Sequence, residues 1–304
     1  MMRHFTSMLM GAAAGVFGLV GVVSAQAADL GGSMKDAAPA PEVKRACSLS
    51  ANVALTSQYV FRGFSQTAEH AALQGGIDAT CGRFYAGFWG SNLDFGGRPD
   101  FNNPAITKNV ADIEIDWYGG VKHDFGKAEL DFGVIYYSYP AAFDRRNPLD
   151  PALTGVRELD YVELKLSTKW KLRDDLSITT TGYYSPEYTN KTGRVFTSEY
   201  GFEYTLPKHS GITPSISALL GWQNGDSNRY KSLVGNGSDN YLYWNAGVTF
   251  AFLEKFSLDL RYWDTNIDNT SSKAFGSTNF CNGKANGGVL QCDERFVATL
   301  KATW

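Results

Sequence analysis

Charged side chains recur at alternate positions in several segments of this chain. Asp112, Glu114 and Asp116 alternate with apolar residues. Farther along the chain, Lys165 and Lys169 are also an even number of positions apart. A spacing of two residues places side chains on one face of a strand. A row of charges inside a pore selects solutes by the sign of their charge and orients dipolar solutes. Selection of solutes in a pore is therefore the chemistry that this pattern favours.

Twelve charged residues are predicted to line the pore: Asp112, Glu114, Asp116, Glu129, Asp131, Lys165, Lys169, Glu199, Glu203, Arg261, Arg295 and Lys301. The acidic residues lie on different predicted strands from the basic ones, so we expect acidic and basic walls that face each other across the lumen. The alternative is that these residues pair with one another and fill the interior. A barrel of about eight strands has room only for side chains, whereas about sixteen to eighteen strands enclose a water channel. Twelve strands lie between these limits, and we predict an open pore.

The elements that must position these charges are long alternating strands. In 295–304 the apolar face includes Phe296 and Trp304, and the polar face includes Arg295 and Lys301. A strand of about ten residues can cross a bilayer at a tilt, with its apolar face toward lipid and its polar face toward a lumen. The twelve predicted strands are 49–61, 71–80, 84–94, 112–122, 128–139, 159–170, 176–185, 196–206, 212–222, 241–252, 256–265 and 295–304. Pro214 lacks a backbone donor, so a bulge or a late strand start is expected there.

The connections between these strands alternate in length. The short polar ones are 81–83, 123–127, 171–175, 207–211 and 253–255. The others, mostly much longer, are 62–70, 95–111, 140–158, 186–195, 223–240 and 266–294. Short periplasmic turns and long external loops are typical of outer-membrane barrels with an even strand number. The sequence therefore predicts an all-β chain that forms a transmembrane antiparallel up-and-down β-barrel; a soluble β-sandwich is the alternative.

Aromatic residues near the predicted strand ends support the same interpretation, because their rings suit the boundary between lipid and water. As a set we predict an outward girdle: Trp89, Tyr118, Tyr136, Trp170, Tyr184, Tyr200, Trp222, Trp244, Tyr262 and Trp304. Each residue taken singly is also explained by ordinary strand propensity.

The first residues read as an export signal. Arg3 and His4 precede an apolar segment at 8–23, and a small-residue cleavage site follows. We predict a signal peptide over 1–27, with cleavage after Ala27 or alternatively Ala25; a transmembrane anchor is the other interpretation. Residues 28–46 are predicted to be a flexible periplasmic segment, and 47–304 to be the barrel. The formal net charge of -3 becomes -4 when the one charged leader residue, Arg3, is removed.

Four cysteines in an exported chain favour disulfides. Cys47 precedes the first predicted strand and Cys81 ends the second, so antiparallel pairing brings these two together at the periplasmic rim. Cys281 and Cys292 share the last external loop. We predict the bridges Cys47–Cys81 and Cys281–Cys292. A metal site is the alternative, but no C-x-x-C spacing occurs and no histidine is near in sequence.

Three blocks of the N-terminal half carry a family resemblance. The blocks ALTSQYVFRGFSQT (54–67), LQGGID (73–78) and FYAGFWGSN (84–92) resemble the TorF-type porin family, also known as Gcw_chp. The Ile-Glu-Ile-Asp strand and the closing strand are similar as well. The resemblance implies an outer-membrane location and a channel role, and it supplies no established functional residues. The Cys47/Cys81 pair and the long final loop with its cysteines depart from the family pattern.

The last strand also resembles the terminal signal of barrels that the outer-membrane assembly machinery inserts. Phe296 and Trp304 are the aromatic residues of this predicted signal, with Trp304 where Phe is usual. The predicted partners are therefore outer-membrane lipid, the barrel assembly machinery and small hydrophilic solutes. The predicted location is the outer membrane of a Gram-negative cell.

Other chemistries find less support. Catalysis is not expected, because His123 and His209 lie in predicted periplasmic turns and His70 has no orienting acid nearby in sequence. Asp/Asn/Gly-rich loops at 225–228, 236–239 and 264–272 could bind calcium, but such composition is common in solvated loops. No basic cluster indicates nucleic acid. We predict no metal and no cofactor.

Overall fold

The computed structural model describes residues 47–95, 97–99, 107–140, 142, 158–234, 238–267 and 292–304. The predicted signal peptide, the segment 28–46 and Cys281 lie outside the described residues.

Twelve long strands of the described chain form one closed antiparallel barrel. They are β1 Cys47–Thr56, β2 Ala72–Cys81, β3 Phe84–Asn92, β4 Ile113–Asp124, β5 Ala128–Ser138, β6 Tyr161–Arg173, β7 Leu176–Ser185, β8 Val195–Thr205, β9 Ile212–Gly225, β10 Asn240–Phe252, β11 Phe256–Thr265 and β12 Arg295–Thr303. Each strand pairs with its neighbours in sequence, and β12 pairs with β1 to close the ring. A closed ring leaves no unpaired sheet edge, which a lipid environment requires. The predicted fold class and strand number are confirmed.

The barrel has two unlike ends. The short connections lie at one end, which we call the turn end, together with Cys47 and Trp304. The long connections lie at the other, the loop end. There the described part includes the helix α1 Asn228–Val234 and a 3-10 turn at Thr189–Lys191. The helical segments that the structure describes are too short or too polar to span a bilayer.

The disulfide Cys47–Cys81 joins β1 to β2 at the turn end. Its two cysteines are direct partners in the antiparallel register, as the sequence predicts. This prediction is confirmed. The bridge Cys281–Cys292 stays a prediction, because Cys281 is not among the described residues.

The outer surface of the barrel is apolar. Large aliphatic and aromatic side chains at alternate positions face outward; Leu49, Leu166 and Phe296, for example, are 76%, 54% and 80% exposed. Exposing so much apolar surface to water would be unfavourable, whereas hydrocarbon solvates it well. The sequence alternation therefore corresponds to an apolar outside and a polar inside.

Two members of the predicted aromatic girdle face inward instead. The Tyr118 hydroxyl donates to Asp78 Oδ1 at 2.5 Å inside the barrel, and the Trp89 ring packs edge-on against Tyr59 at 5.3 Å. Both residues lie at the alternate positions of their strands whose side chains face the interior. Being near a strand end does not indicate which face of the strand a side chain occupies.

The largest departure from the predicted strands is at the first one. The alternating pattern extends to residue 61, but β1 ends at Thr56. Residues 57–71, which we call the inward loop, leave the sheet and fold into the barrel. Two short strands, Val60–Phe61 and Phe64–Ser65, form a small hairpin within it. Local alternation is the same for a wall strand and for this hairpin, so the pattern cannot distinguish them.

Pro214 does not cause the expected irregularity. The pairing of β9 with β10 passes through Pro214 and Phe250 without a register shift. The register of β9 with β8 ends at Ser215, and the Pro214 carbonyl still accepts a hydrogen bond from Leu206 N at 2.8 Å, so the missing donor falls at the end of this pairing. The register shift near the turn end lies between Lys171 and Arg173.

Candidate functional site in the barrel interior

In the turn half of the interior, charged side chains pair with near neighbours. Lys165 Nζ lies 2.8 Å from Asp131 Oδ2, and the Tyr85 hydroxyl donates to the other oxygen of Asp131 at 2.8 Å. Lys122 Nζ lies 3.4 Å from Glu129. These contacts join residues on adjacent or nearby strands, so charges of opposite sign lie side by side.

Two further pairs continue the pattern. Arg261 donates to both oxygens of Asp259, at 2.9 and 3.0 Å, and also to Asn245. Lys169 Nζ lies 3.8 Å from Glu203, and the two side chains are 38% and 43% exposed. The expectation of acidic and basic walls facing each other across the lumen is therefore wrong: the alternative of local pairing describes this half. The partial exposure of the Lys122–Glu129 and Lys169–Glu203 pairs leaves part of this region accessible to water.

The loop half of the interior is built around an ion pair that crosses the barrel. Arg62, from the inward loop, donates through Nη1 and Nη2 to the two carboxylate oxygens of Glu163 at 2.7 and 2.8 Å. The side chains are 4% and 1% exposed. Since β6 lies five strands from β1 around a ring of twelve, this pair ties the inward loop to the far wall. A paired, bidentate geometry compensates for taking both charges out of water.

Aromatic rings surround this ion pair. The Arg62 guanidinium lies 4.7 Å from the ring centroid of Phe61 and 4.8 Å from that of Tyr183. The Tyr137 hydroxyl donates to Glu163 at 3.0 Å. Rings positioned in this way stabilise a cation through their quadrupole. The guanidinium is therefore held by a carboxylate and by the faces of two rings.

The inward loop contacts other walls as well. The Tyr241 hydroxyl donates to the carbonyl oxygen of Arg62 at 3.2 Å, and the Tyr241 ring packs against Phe64 at 5.3 Å. A Cβ on Gly63 would lie 2.3 Å from Thr265 Cγ2 on β11, and its φ of +87° is one that other residues rarely adopt. Glycine at position 63 therefore allows the loop to approach this wall.

Three more buried acids lie in the loop half. Glu114 and Asp116 on β4 are each 2% exposed, and Glu199 on β8 is 7% exposed. Tyr139 donates to Glu114 Oε1 at 3.2 Å, and the Tyr243 hydroxyl donates to Glu199. Within the described residues, Glu114 Oε2 and Asp116 Oδ1 have no hydrogen-bond partner. Together with Glu163, four carboxylates therefore share this region with Arg62.

Three other predicted lining residues lie outside the charge pairs and the buried acid group described above. Asp112 precedes β4, is exposed and accepts a hydrogen bond from Asn109, so it does not belong to the interior group. Arg295 lies inside at the loop end, where Nη1 donates to Gln58 at 3.3 Å. Lys301 faces inward from β12 in the turn half.

Loops cover part of the loop end. Tyr188 stacks edge-on against Tyr161 at 4.7 Å, and Tyr161 lies parallel to Tyr137 at 4.3 Å. Burial raises the pKa of the Tyr188 phenol, which keeps it protonated. Tyr230 on α1 is fully buried and donates to Gln223 at 3.2 Å. A continuous set of tyrosines therefore extends from these loops down to the ion pair.

The described residues give little basis for catalysis or metal binding. His70 Nδ1 lies 3.4 Å from Asp94 Oδ2, an acid that the sequence did not indicate, but the histidine side chain is 75% exposed. No hydrogen bond between His70 and a serine hydroxyl is seen in the described chain. Nor do the described residues bring three or more His, Cys, Asp or Glu side chains together as a metal site.

Sequence reasoning missed the main residues of the loop half. Glu163 shares the inward parity of Lys165 and Lys169, so extending the alternation by one step would have found it. Arg62 had no such signal, because its role depends on contacts with strands distant in sequence. Tyr137 lies on the same inward face of its strand as Asp131, and Tyr183 lies on the same inward face as Thr181, so the alternation could have indicated both tyrosines.

Comparisons with known proteins give a family and several distant structures. The TM-score is 0.45 for the COG4313 outer membrane channel from Pseudomonas putida F1, at 11% identity over 84% of this chain and 94% of that one. For a NanC porin the TM-score is 0.43, at 8% identity over 84% of this chain and 98% of the porin chain. For the outer membrane channel DcaP of Acinetobacter baumannii it is 0.37, at 9% identity over 85% and 97%. No curated protein sequence matches the chain. Residues 40–304 match the family described as bacterial protein of unknown function (Gcw_chp), and the chain belongs to this family.

Proposed function

We propose that the protein is an outer-membrane channel through which small hydrophilic solutes diffuse passively. The observation that carries the proposal is a closed ring of twelve strands with an apolar outside and a charged inside. A barrel of this kind suits lipid on its outer face and water in its lumen. We propose that the turn end faces the periplasm and that the loop end faces the exterior, following the usual topology of such barrels.

Export and insertion follow from the same proposal. The signal peptide would direct the chain to the periplasm, and the C-terminal strand would engage the barrel assembly machinery. Phe296 and Trp304 are 80% and 59% exposed on the outward face, where such a machinery could contact them. Surrounding outer-membrane lipid is the other partner.

The inward loop would narrow the channel at its loop end. The loop reaches across the interior to Glu163, which holds Arg62, whereas Lys169 and Glu203 in the turn half are partly exposed. We therefore propose a wide vestibule on the periplasmic side and a constriction on the external side.

We further propose a weak preference for cations. The charges of the turn half largely pair with one another, so they offset locally. The loop half has four buried carboxylates against two arginines, Arg62 and Arg295, which gives an excess of negative charge when the acids are ionised. Fixed charge near a narrow section has the greatest effect on selectivity, because fewer ions screen it there.

A second candidate is a non-conducting barrel whose external loops contact other surface components. The packed tyrosines and the inward loop favour it, since they fill much of the described loop half. Planar-bilayer recording of the purified, refolded protein separates the two. Discrete current steps support the channel. Their absence both in wild type and in a variant with the inward loop displaced would sink the channel proposal and leave the structural barrel.

A further inference from the structure

We propose that the wall around Arg62 is a binding site for the guanidinium group of a small solute, and that Arg62 occupies this site as an internal competitor. As a statement about which solutes pass, the inference rests on the proposed channel. As a statement about binding, it rests on the geometry of the wall alone.

The wall supplies the contacts that a planar cation needs. Glu163 offers both carboxylate oxygens to the two Nη atoms of the guanidinium. Tyr183 offers a ring face 4.8 Å from the central carbon, and Tyr137 fixes the carboxylate with a hydrogen bond of 3.0 Å. A carboxylate fork with an aromatic face recognises guanidinium specifically, because both its planar donors and its diffuse charge are matched.

These contacts do not depend on the loop that carries Arg62. Glu163, Tyr137 and Tyr183 lie on β6, β5 and β7, three adjacent strands of the closed sheet. Their backbones are fixed by continuous antiparallel pairing. A site built on rigid strands keeps its geometry when its occupant leaves. The loop contributes only Arg62 and the ring of Phe61.

The surrounding charge also favours a cation. Asp116 and Glu199 are acids buried in the same half of the interior as Glu163. Asp116 Oδ1 and Glu114 Oε2 are buried and lack a hydrogen-bond partner among the described residues. Removing Arg62 would leave Glu163 buried without its counter-charge. A guanidinium from solution could then form the contacts with Glu163 and Tyr183 that Arg62 forms now.

The inward position of the loop carries a conformational cost. Arg62 has a φ of +49°, and Ala68 and Glu69 in the same loop have φ values of +46° and +67°. Residues with a Cβ rarely adopt such angles, because they are sterically strained there. This cost weakens Arg62 as a competitor and lets a ligand displace it more readily.

The tether that holds Arg62 near its site sets the concentration of free guanidinium that a test requires. A group tethered by a short flexible segment competes at an effective concentration of roughly millimolar or above. A free guanidinium must therefore reach roughly millimolar concentration or above to compete with Arg62 in the wild-type protein. In Arg62→Ala the competitor is gone, and the same probe should bind at lower concentration.

The experiment uses the refolded full-length mature protein in detergent and methylguanidinium chloride as the probe. Thermal unfolding midpoints are measured for R62A and for the double variant R62A/E163Q, with potassium chloride of equal ionic strength as the matched salt. Methylguanidinium should raise the midpoint of R62A more than potassium does. In the double variant the apparent affinity should fall by about tenfold or more, because the charge-assisted pair is lost. Equal responses of the two variants would overturn the proposal.

If R62A does not fold on its own, refolding itself becomes the readout. Methylguanidinium in the refolding buffer should restore the folded band, which migrates differently from heated protein in gel electrophoresis, whereas potassium should not. Failure of this rescue also overturns the proposal. Because neither readout requires current, a protein that binds the probe but never conducts would retain the binding site and lose only the proposed channel function.

Discussion

Glu163 is the residue on which the position of the inward loop depends most directly. It accepts both hydrogen bonds from the Arg62 side chain and is 1% exposed. A buried charge that loses its partner is costly, because water cannot solvate it in place. The interior of the loop half is therefore organised by one ionic contact between distant parts of the chain.

Replacing Glu163 by Gln should lower the free energy of unfolding by about 3–5 kcal/mol if the inward loop stays in place, since Arg62 then keeps its charge without a counter-charge. Urea titration of the refolded barrel measures the change. Asp175→Asn is the control, because Asp175 pairs with Arg173 in an exposed turn. Hydrogen bonding to Arg173 lowers the pKa of Asp175, but water screens this pair and its loss should leave stability nearly unchanged. A similar response to both substitutions would contradict the role assigned to Glu163.

At the scale of elements, the inward loop differs from the strands that surround it. Its backbone leaves the sheet after Thr56 and returns at Ala72. Between these points it makes side-chain contacts with β5, β6, β7 and β10. A loop held by contacts rather than by sheet pairing is the part most easily displaced without loss of the barrel.

Replacing Gly63 by Ala should displace this loop, because the new Cβ would lie 2.3 Å from Thr265 Cγ2 at a φ of +87°. Gly126→Ala is the matched control, since Gly126 has a φ of +86° and nothing within 4 Å of the same atom. Trypsin should then cleave after Arg62 in G63A and not in G126A. The fragment should separate only after reduction, because Cys47 stays bonded to Cys81. Equal resistance of the two variants would show that the loop tolerates the change.

At the scale of the whole molecule, the barrel separates an apolar outside from a charged inside. Leu166 faces outward near the middle of β6, and Lys169 three residues later faces inward beside Glu203. The consequence of a charge therefore depends on the face that carries it, and this difference can be measured.

Leu166→Lys should reduce the stability of the membrane-inserted barrel by about 2–4 kcal/mol, as for a basic residue near the bilayer midplane. Refolding into lipid vesicles at graded urea concentrations provides the measurement. Lys169→Gln should change stability by no more than about 1 kcal/mol, since half-exposed ion pairs contribute little. The reverse order of effects would mean that the inner and outer faces are interchanged.

Replacing Glu114 by Gln together with Asp116 by Asn should move the reversal potential toward anion preference in a salt gradient. The change removes two buried acids beside the proposed constriction, and the shift should be larger at low salt, where screening is weaker. Glu254→Gln removes a charge from an exposed turn at the other end and should leave the potential unchanged. A reversal potential that does not respond to the paired substitution would count against this selectivity.

The strand number, the lipid and lumen faces and the Cys47–Cys81 bridge could all be predicted from the amino-acid sequence. These follow from alternation and connection length, which are local properties, and antiparallel neighbours are adjacent in the chain. The pairing of the charges and the packing inside the loop half could be seen only in the folded barrel. Arg62 continues an alternating segment and could equally belong to a wall strand. Its partner Glu163 lies 101 positions away, and only closure of the ring, which brings the far wall across from β1, puts the two side chains in contact.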